Sequence, residues 1–198
     1  MKTYPIKTMD LEKAKNMQFK LVDIIQQNFD GYEFLQNGDF GVVPGIGQPQ
    51  YTRKVETVLA QFFGGEDAVF VRGAGTGAIR NVMNAMLKPN EKILLHQAPI
   101  YPTTKVIVDS MGLGPCFVGF NNISGKDEDI ILATPFAIVQ HSRQKLDDKY
   151  DLGQVISKLK DINENIIILI DDNYVVMKAE EIGVQLGADT SAFSIFKL

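Results

Sequence analysis

Tryptophan is absent from this 198-residue chain, cysteine occurs once, and histidine occurs twice. A single cysteine rules out an internal disulfide, and the apolar setting Cys116-Phe117-Val118 reads as a core position without chemistry. His96 and His141 are far apart and lack a close Cys/His/Asp cluster, so the ligand spacing of a zinc site is missing and no metal is expected. Basic charge is not in excess: 20 Lys and Arg face 24 Asp and Glu, for a net charge of -4 and a pI near 5.2. The basic residues are scattered, so neither nucleic acid nor an anionic membrane surface is an expected partner. Between Met1 and Asn16 lysines recur and no apolar run is long enough for a signal peptide or a membrane span, which points to a cytoplasmic protein.

What is present is a 45% hydrophobic, 22% charged composition, enough to build a core. Leu21, Ile24, Ile25 and Phe29 share one helical face within 11–29, and a glycine-rich stretch follows from Gly31 to Pro49. Val55, Val58, Leu59, Phe62 and Phe63 keep the i, i+3, i+4, i+7 pattern of an amphipathic helix, with Thr52 as the predicted cap and Gly64-Gly65 as the stop. Strand and helix patterns then alternate. Strands are expected at 67–72, 92–96, 116–120, 129–133, 166–170 and 192–196, and helices at 77–87, 102–111, 151–159 and 180–186. Runs such as Ile166-Ile167-Ile168-Leu169-Ile170 are apolar on both faces. This predicts an α/β fold: a three-layer sandwich whose mostly parallel sheet is covered by helices on both sides.

Ligands of such sheets collect at the carboxyl ends of the strands. Strand 69–71 runs into Arg72-Gly73-Ala74-Gly75-Thr76-Gly77, glycines leading into a helix start, where free N–H groups and the helix dipole suit a phosphate. The alternative is that the same glycines only pack helix on strand. A dinucleotide site is disfavoured because His96-Gln97-Ala98 stands where an acidic residue should take the ribose, and a Walker loop lacks its Gly-Lys-Ser/Thr. At the next strand end Tyr101 could stack on a planar heterocycle or simply cover the core. Asp171-Asp172 end a wholly apolar strand, where carboxylates are costly without a positive partner; a solvated turn is the plainer reading. Lys197 closes the last strand pattern, and a lysine becomes a Schiff-base nucleophile only when its surroundings favour the neutral amine.

Taken in order, the Gly-Thr-Gly-Ala-Ile turn at 75–79, the aromatic Tyr101, Asp172-Asn173 after an apolar strand, and Ser194-x-x-Lys197 resemble pyridoxal-phosphate enzymes of fold type I. The 25-residue step from 172 to 197 is most similar to the cystathionine-lyase and methionine-lyase branch. The turn is also similar to that of aspartate aminotransferases, and Gly41–Ile46 with Ala98–Thr103 resembles a bacterial aminotransferase-like subgroup. The resemblance implies pyridoxal 5'-phosphate as cofactor, with Lys197 as the catalytic lysine that carries it and moves the α-proton. It implies Asp172 on the pyridine nitrogen, Tyr101 stacked on the ring, and Gly75, Thr76 and Ser194 on the phosphate. It further implies a small amino-acid substrate, a homodimer, and either transamination or a carbon–sulfur elimination.

The match has gaps. Val43-Pro44-Gly45 replaces the Tyr-x-Arg pair of the lyases, and Thr134-Pro135-Phe136-Ala137-Ile138 lacks the asparagine that meets the ring hydroxyl, leaving Gln140 or His141 as substitutes. The expected organisation is an N-terminal arm over 1–50 and an incomplete cofactor-binding large domain over 51–198, without the C-terminal small domain. Two competing readings are therefore a non-catalytic fragment serving at most as a folding or dimerisation unit, and a nucleotide-binding module built on 73–77.

Overall fold

The computed structural model describes residues 6, 8–36, 38–142 and 144–197. The chain divides into two compact units, one over Met9–Phe70 and one combining Met1–Thr8 with Val71–Leu198.

The smaller unit holds α1 (Leu11–Asn28), the short α2 (Glu33–Gln36) and α3 (Gln50–Phe63). Asp10 caps α1 by accepting from the Lys13 N–H at 2.8 Å. α3 begins two residues earlier than the predicted cap at Thr52. Its first-turn N–H groups are taken from a distance: the Asp39 carboxylate accepts from Tyr51 N and Thr52 N, each at 2.8 Å. A cap supplied from eleven residues upstream leaves no local signature, which is why Thr52 looked like the start. Gly64, at φ 70°, ends the helix in the left-handed conformation. The run Val69-Phe70-Val71 is not a strand among the described residues; Phe70 N donates to the buried carboxylate of Glu56 at 2.7 Å.

The larger unit carries five strands, β1 (Lys92–His96), β2 (Gly114–Val118), β3 (Phe136–Gln140), β4 (Ile167–Asp171) and β5 (Thr190–Ala192). They form one parallel sheet in the order β2-β1-β3-β4-β5. Its helices are α4 (Ala74–Met86), α5 (Pro102–Ser110), α6 (Glu128–Leu132) and α7 (Leu152–Ile162). Side-chain alternation sorts the sheet into two faces. Leu94, Ala137, Val139, Ile168 and Ile170 pack with Val155, Ile156 and Leu159 of α7. Ile93, Leu95, Phe136, Ile138 and Leu169 pack with Ile79 and Met83 of α4 and with Ile107 and Val108 of α5. The three-layer α/β sandwich read from the sequence is the observed fold.

Two expected strands are not strands: 67–72, described above, and 129–133. Residues 129–132 lie in helix α6, with Ala133 as its C-cap, and only Ile131 of its three consecutive apolar residues is buried; Ile130 and Leu132 face outward. Ser124 and Asp127 form a capping box just upstream, and β3 starts only after Pro135. A short apolar run cannot choose between helix and strand by periodicity. The last strand is also shorter than expected: β5 stops at Ala192, and Ile195–Lys197 form a 3-10 turn. The helix expected at 180–186 is likewise a 3-10 turn, Gly183–Leu186. No helix among the described residues is long and apolar enough to cross a membrane.

Candidate cofactor site

A small, open cleft lies over the carboxyl ends of β1, β3 and β4, lined by Leu95, His96, Ile100, Tyr101, Thr104, Ile138, Gln140, Gln144 and Asp171. Strand alternation decides which of the two adjacent aspartates enters it. Asp171 follows Leu169 on the face shared with Leu95 and Ile138, so its carboxylate lines the cleft. Asp172 falls on the opposite face, fully buried. Its two oxygens are committed, one accepting from His141 Nδ1 at 2.7 Å and the other from the Gly183 N–H at 3.0 Å. The sequence expectation gave the cleft to Asp172; the structure gives it to Asp171.

Asp171 Oδ1 accepts from both the backbone N–H and the side-chain amide of Asn173, at 3.1 and 2.7 Å. Burial pushes the Asp171 carboxyl above its ordinary value; the Asn173 hydrogen bonds hold the rise down, the neighbouring Asp172 charge adds to it, and the Lys197 ammonium opposes it. A buried acid raised in this way gains most from a cationic ligand group.

The glycine turn does begin a helix. Gly73 is left-handed at φ 97°, and α4 starts at Ala74, so the N–H groups of its first turn, at Ala74, Gly75 and Thr76, lack intrahelical acceptors. Two of the glycines are required by space. A Cβ on Gly75 would collide with the Asn173 amide, and one on Gly77 with the backbone carbonyl of Arg72. Because the carbonyl cannot swing away, Gly77→Ala is expected to cost about 1–3 kcal/mol, read as a lowered urea midpoint.

Ser194 is buried, and its N–H donates to Asn173 Oδ1 at 3.1 Å. Its carbonyl accepts from Lys197 N at 2.9 Å, closing the 3-10 turn that ends in the lysine. The Lys197 ammonium sits 3.9 Å from the centroid of the Tyr174 ring, and Lys178 Nζ donates to the Lys197 carbonyl at 2.7 Å. Tyr174 itself is left-handed at φ 72°. Among the residues singled out in the sequence, Tyr101 and Asp171 meet in the cleft. Gly75 and Ser194 meet at Asn173, Thr76 lies half-buried in the first turn of α4, and Lys197 is close enough to act on the charge of Asp171.

Two glutamines complete the cleft. Gln140 ends β3 in register with Asp171, and Gln144 belongs to the loop that follows. That loop is bolted down by Asp148, fully buried, which accepts from His96 Nε2 at 2.9 Å, Asn121 Nδ2 at 3.0 Å, Lys145 N at 2.8 Å and Gln144 N at 3.2 Å. His96 Nδ1 accepts the Phe120 N–H at 3.1 Å, which places the ring proton on Nε2, facing Asp148. Burial pushes the Asp148 carboxyl up, but the His96, Lys145 and Asn121 hydrogen bonds outweigh it and leave the group below its ordinary value. Tyr150, packed edge-on against His96, donates its hydroxyl to the Gln140 carbonyl at 2.6 Å. None of Asn173, Gln144 and Asp148 was assigned a role from sequence. Only Asn173 left a signal there, as a polar residue directly after the acidic strand end.

No family model matches the chain. It is 46% identical to the Escherichia coli protein YhfS over 199 aligned residues, which is 100% of this chain and 55% of YhfS. It is 29% identical to YnbB of Bacillus subtilis over 166 residues, 72% of this chain and 39% of that protein. The chain thus spans about half the length, or less, of the curated relatives it matches. The crystal structure of YhfS, described as a pyridoxal-5'-phosphate-dependent protein, superposes with a TM-score of 0.95 over 100% of this chain and 55% of that one. A carbon-sulfur lyase involved in aluminum resistance from Clostridium novyi (TM-score 0.71, 19% identity, 90% of this chain and 47% of that one) shares the fold alone. So does a methionine gamma lyase from Micromonospora echinospora (TM-score 0.61, 15% identity, 87% of this chain and 49% of that one). The chain therefore has the fold, and close to half of the residues, of just over half of a pyridoxal-5'-phosphate-dependent protein.

Proposed function

We propose that this chain holds pyridoxal 5'-phosphate and serves a pyridoxal-phosphate-dependent transformation of small amino acids, by transamination or by carbon–sulfur elimination. The observation that carries the reading is Asp171: a buried carboxylate at the foot of a cleft walled by an aromatic ring, with a lysine ammonium within electrostatic reach. The residues fit the group. Asp171 would pair with the protonated pyridine nitrogen, the role the sequence had suggested for Asp172, and Tyr101 would cover one face of the ring. The first-turn N–H groups at Gly75 and Thr76, with Ser194, would hold the phosphate at the positive end of α4. Gln140, at the strand end beside Asp171, supplies an amide where the related enzymes use asparagine.

When bound, the cofactor supplies an electron sink for the bonds around the substrate α-carbon. The chain's own part is positional and acid–base. Asp171 would keep a negative charge beside the ring nitrogen. Lys197 Nζ would hold the cofactor and, as a neutral amine, would accept the substrate α-proton. Both reaction types need that proton removed, so these residues serve either. A homodimer, which the sequence resemblance implies, is part of this proposal.

The test is borohydride reduction of the chain with pyridoxal phosphate, followed by peptide mass mapping. A single stable adduct at Lys197, absent from Lys197→Ala, is the expected result. Labelling scattered over surface lysines, or adduct that persists in Lys197→Ala, would sink the assignment.

A further inference from the structure

The Asn173 side chain touches three parts of the proposed site at once. It is buried, and its amide is engaged at both ends: Nδ2 donates to Asp171 Oδ1 at 2.7 Å, and Oδ1 accepts from Ser194 N at 3.1 Å. Its backbone N–H donates to the same Asp171 oxygen at 3.1 Å. The Oδ1–Nδ2 end of its amide lies so close to the first turn of α4 that Gly75 has no room for a methyl group. The sharp turn that follows, with Tyr174 at φ 72° and Val175 N bonded to the Asp172 carbonyl at 3.1 Å, fixes the Asn173 backbone.

We propose that Asn173 is a positioning residue that couples an anion bound at the start of α4 to the orientation of the Asp171 carboxylate. This rests on the reading of the cleft as a pyridoxal-phosphate site. The physical route is short. When the first-turn N–H groups close on an anion, the Gly75 backbone shifts, and an amide in van der Waals contact with it cannot stay still. Because that amide is a rigid plane bonded to both Asp171 and Ser194, its movement reorients the carboxylate and the loop leading to Lys197. Coupling of this kind is reciprocal, so a ring seated on Asp171 tightens the anion site in turn. A glycine at 75 and an asparagine at 173 are then parts of one device rather than two separate accommodations.

Splitting the cofactor into its two halves tests this. The chain is incubated with pyridoxal, which lacks the phosphate, with and without inorganic phosphate, then reduced with borohydride and mapped. In the wild-type chain phosphate is expected to raise Lys197 labelling by pyridoxal roughly ten-fold, within the usual range of coupling between sites. In Asn173→Ser and Asn173→Leu that enhancement is expected to vanish, while phosphate binding in the absence of pyridoxal, followed at the Gly75 amide resonance, stays within about two-fold of wild type. Asn173→Leu keeps the bulk against Gly75 without adding charge but loses both hydrogen bonds, so its failure assigns the coupling to the bonds to Asp171 and Ser194 rather than to the contact alone. A merely structural asparagine would weaken each ligand alone instead. The proposal is overturned if either variant, with an unchanged melting temperature, retains the enhancement, or if the wild type shows none. Absence of Lys197 labelling by pyridoxal phosphate itself would instead remove the cofactor reading on which the proposal stands.

Discussion

Asp171→Asn is expected to weaken pyridoxal phosphate binding roughly ten- to a hundred-fold, the worth of one charge-assisted hydrogen bond in a buried site, and at the same time to stabilise the fold at neutral pH. The two effects have one cause. Asp171 is held in the cleft as a carboxyl raised above its ordinary value of about 3.8, chiefly by burial. The folded chain therefore binds this proton more tightly than the unfolded chain, and stability falls as pH climbs from the unfolded value through the folded one. An asparagine removes that penalty, and its side-chain oxygen can still accept from Asn173. Wild type and variant should converge in urea stability below about pH 3.8 and separate above it. Asp172→Ala should do the reverse. It strands the His141 Nδ1–H and the Gly183 N–H in the interior, at about 2–5 kcal/mol, with much less direct effect on the ring. Cofactor absorbance titrations on the two variants, run beside urea melts, separate the roles; equal loss of affinity in both would remove Asp171 from the site.

The second large effect is expected at Asp148. Asp148→Ala removes the acceptor of four hydrogen-bond donors in a fully buried position, and about 3–5 kcal/mol should be lost, as when one partner of a buried network is deleted. Its carboxyl lies below the ordinary value, so the sign is opposite to that of Asp171. The stability it contributes is complete above about pH 3.8 and is lost as pH falls from there through the folded value. A wild-type stability profile in acid should steepen below that point, and the variant's profile should be flatter there. Since Asp148 also fixes the Gln144 backbone at the cleft, an Asp148→Asn variant that still folds is expected to bind cofactor more weakly. A variant with wild-type acid dependence would show that Asp148 contributes nothing to it.

Much of this was legible before any coordinates. The parallel sheet was announced by Ile166–Ile170, apolar on both faces, and β1 and the helix after Tyr101 fell where their patterns placed them. The helix start at the glycine turn was legible, although the strand pattern before it is not a strand. What misled was local ambiguity. Ile130-Ile131-Leu132 reads as a strand, yet the capping box at Ser124 and Asp127 starts a helix whose outer residues face solvent. Thr52 looked like a cap because the real one, Asp39, arrives through the fold.

Sequence alone determined the layer architecture, the order of the strand ends and the set of residue types available there, because periodicity and backbone chemistry act over a few residues at a time. It could not decide between Asp171 and Asp172. In an extended strand adjacent side chains point to opposite faces, so the choice depends on where β4 ends and on which face α4 and α5 cover, and both are settled by packing. The same holds for Asn173, whose three partners lie two, 21 and 98 positions away along the chain. Tertiary structure alone brings them together, and with them the glycine turn, the acid and the approach to Lys197.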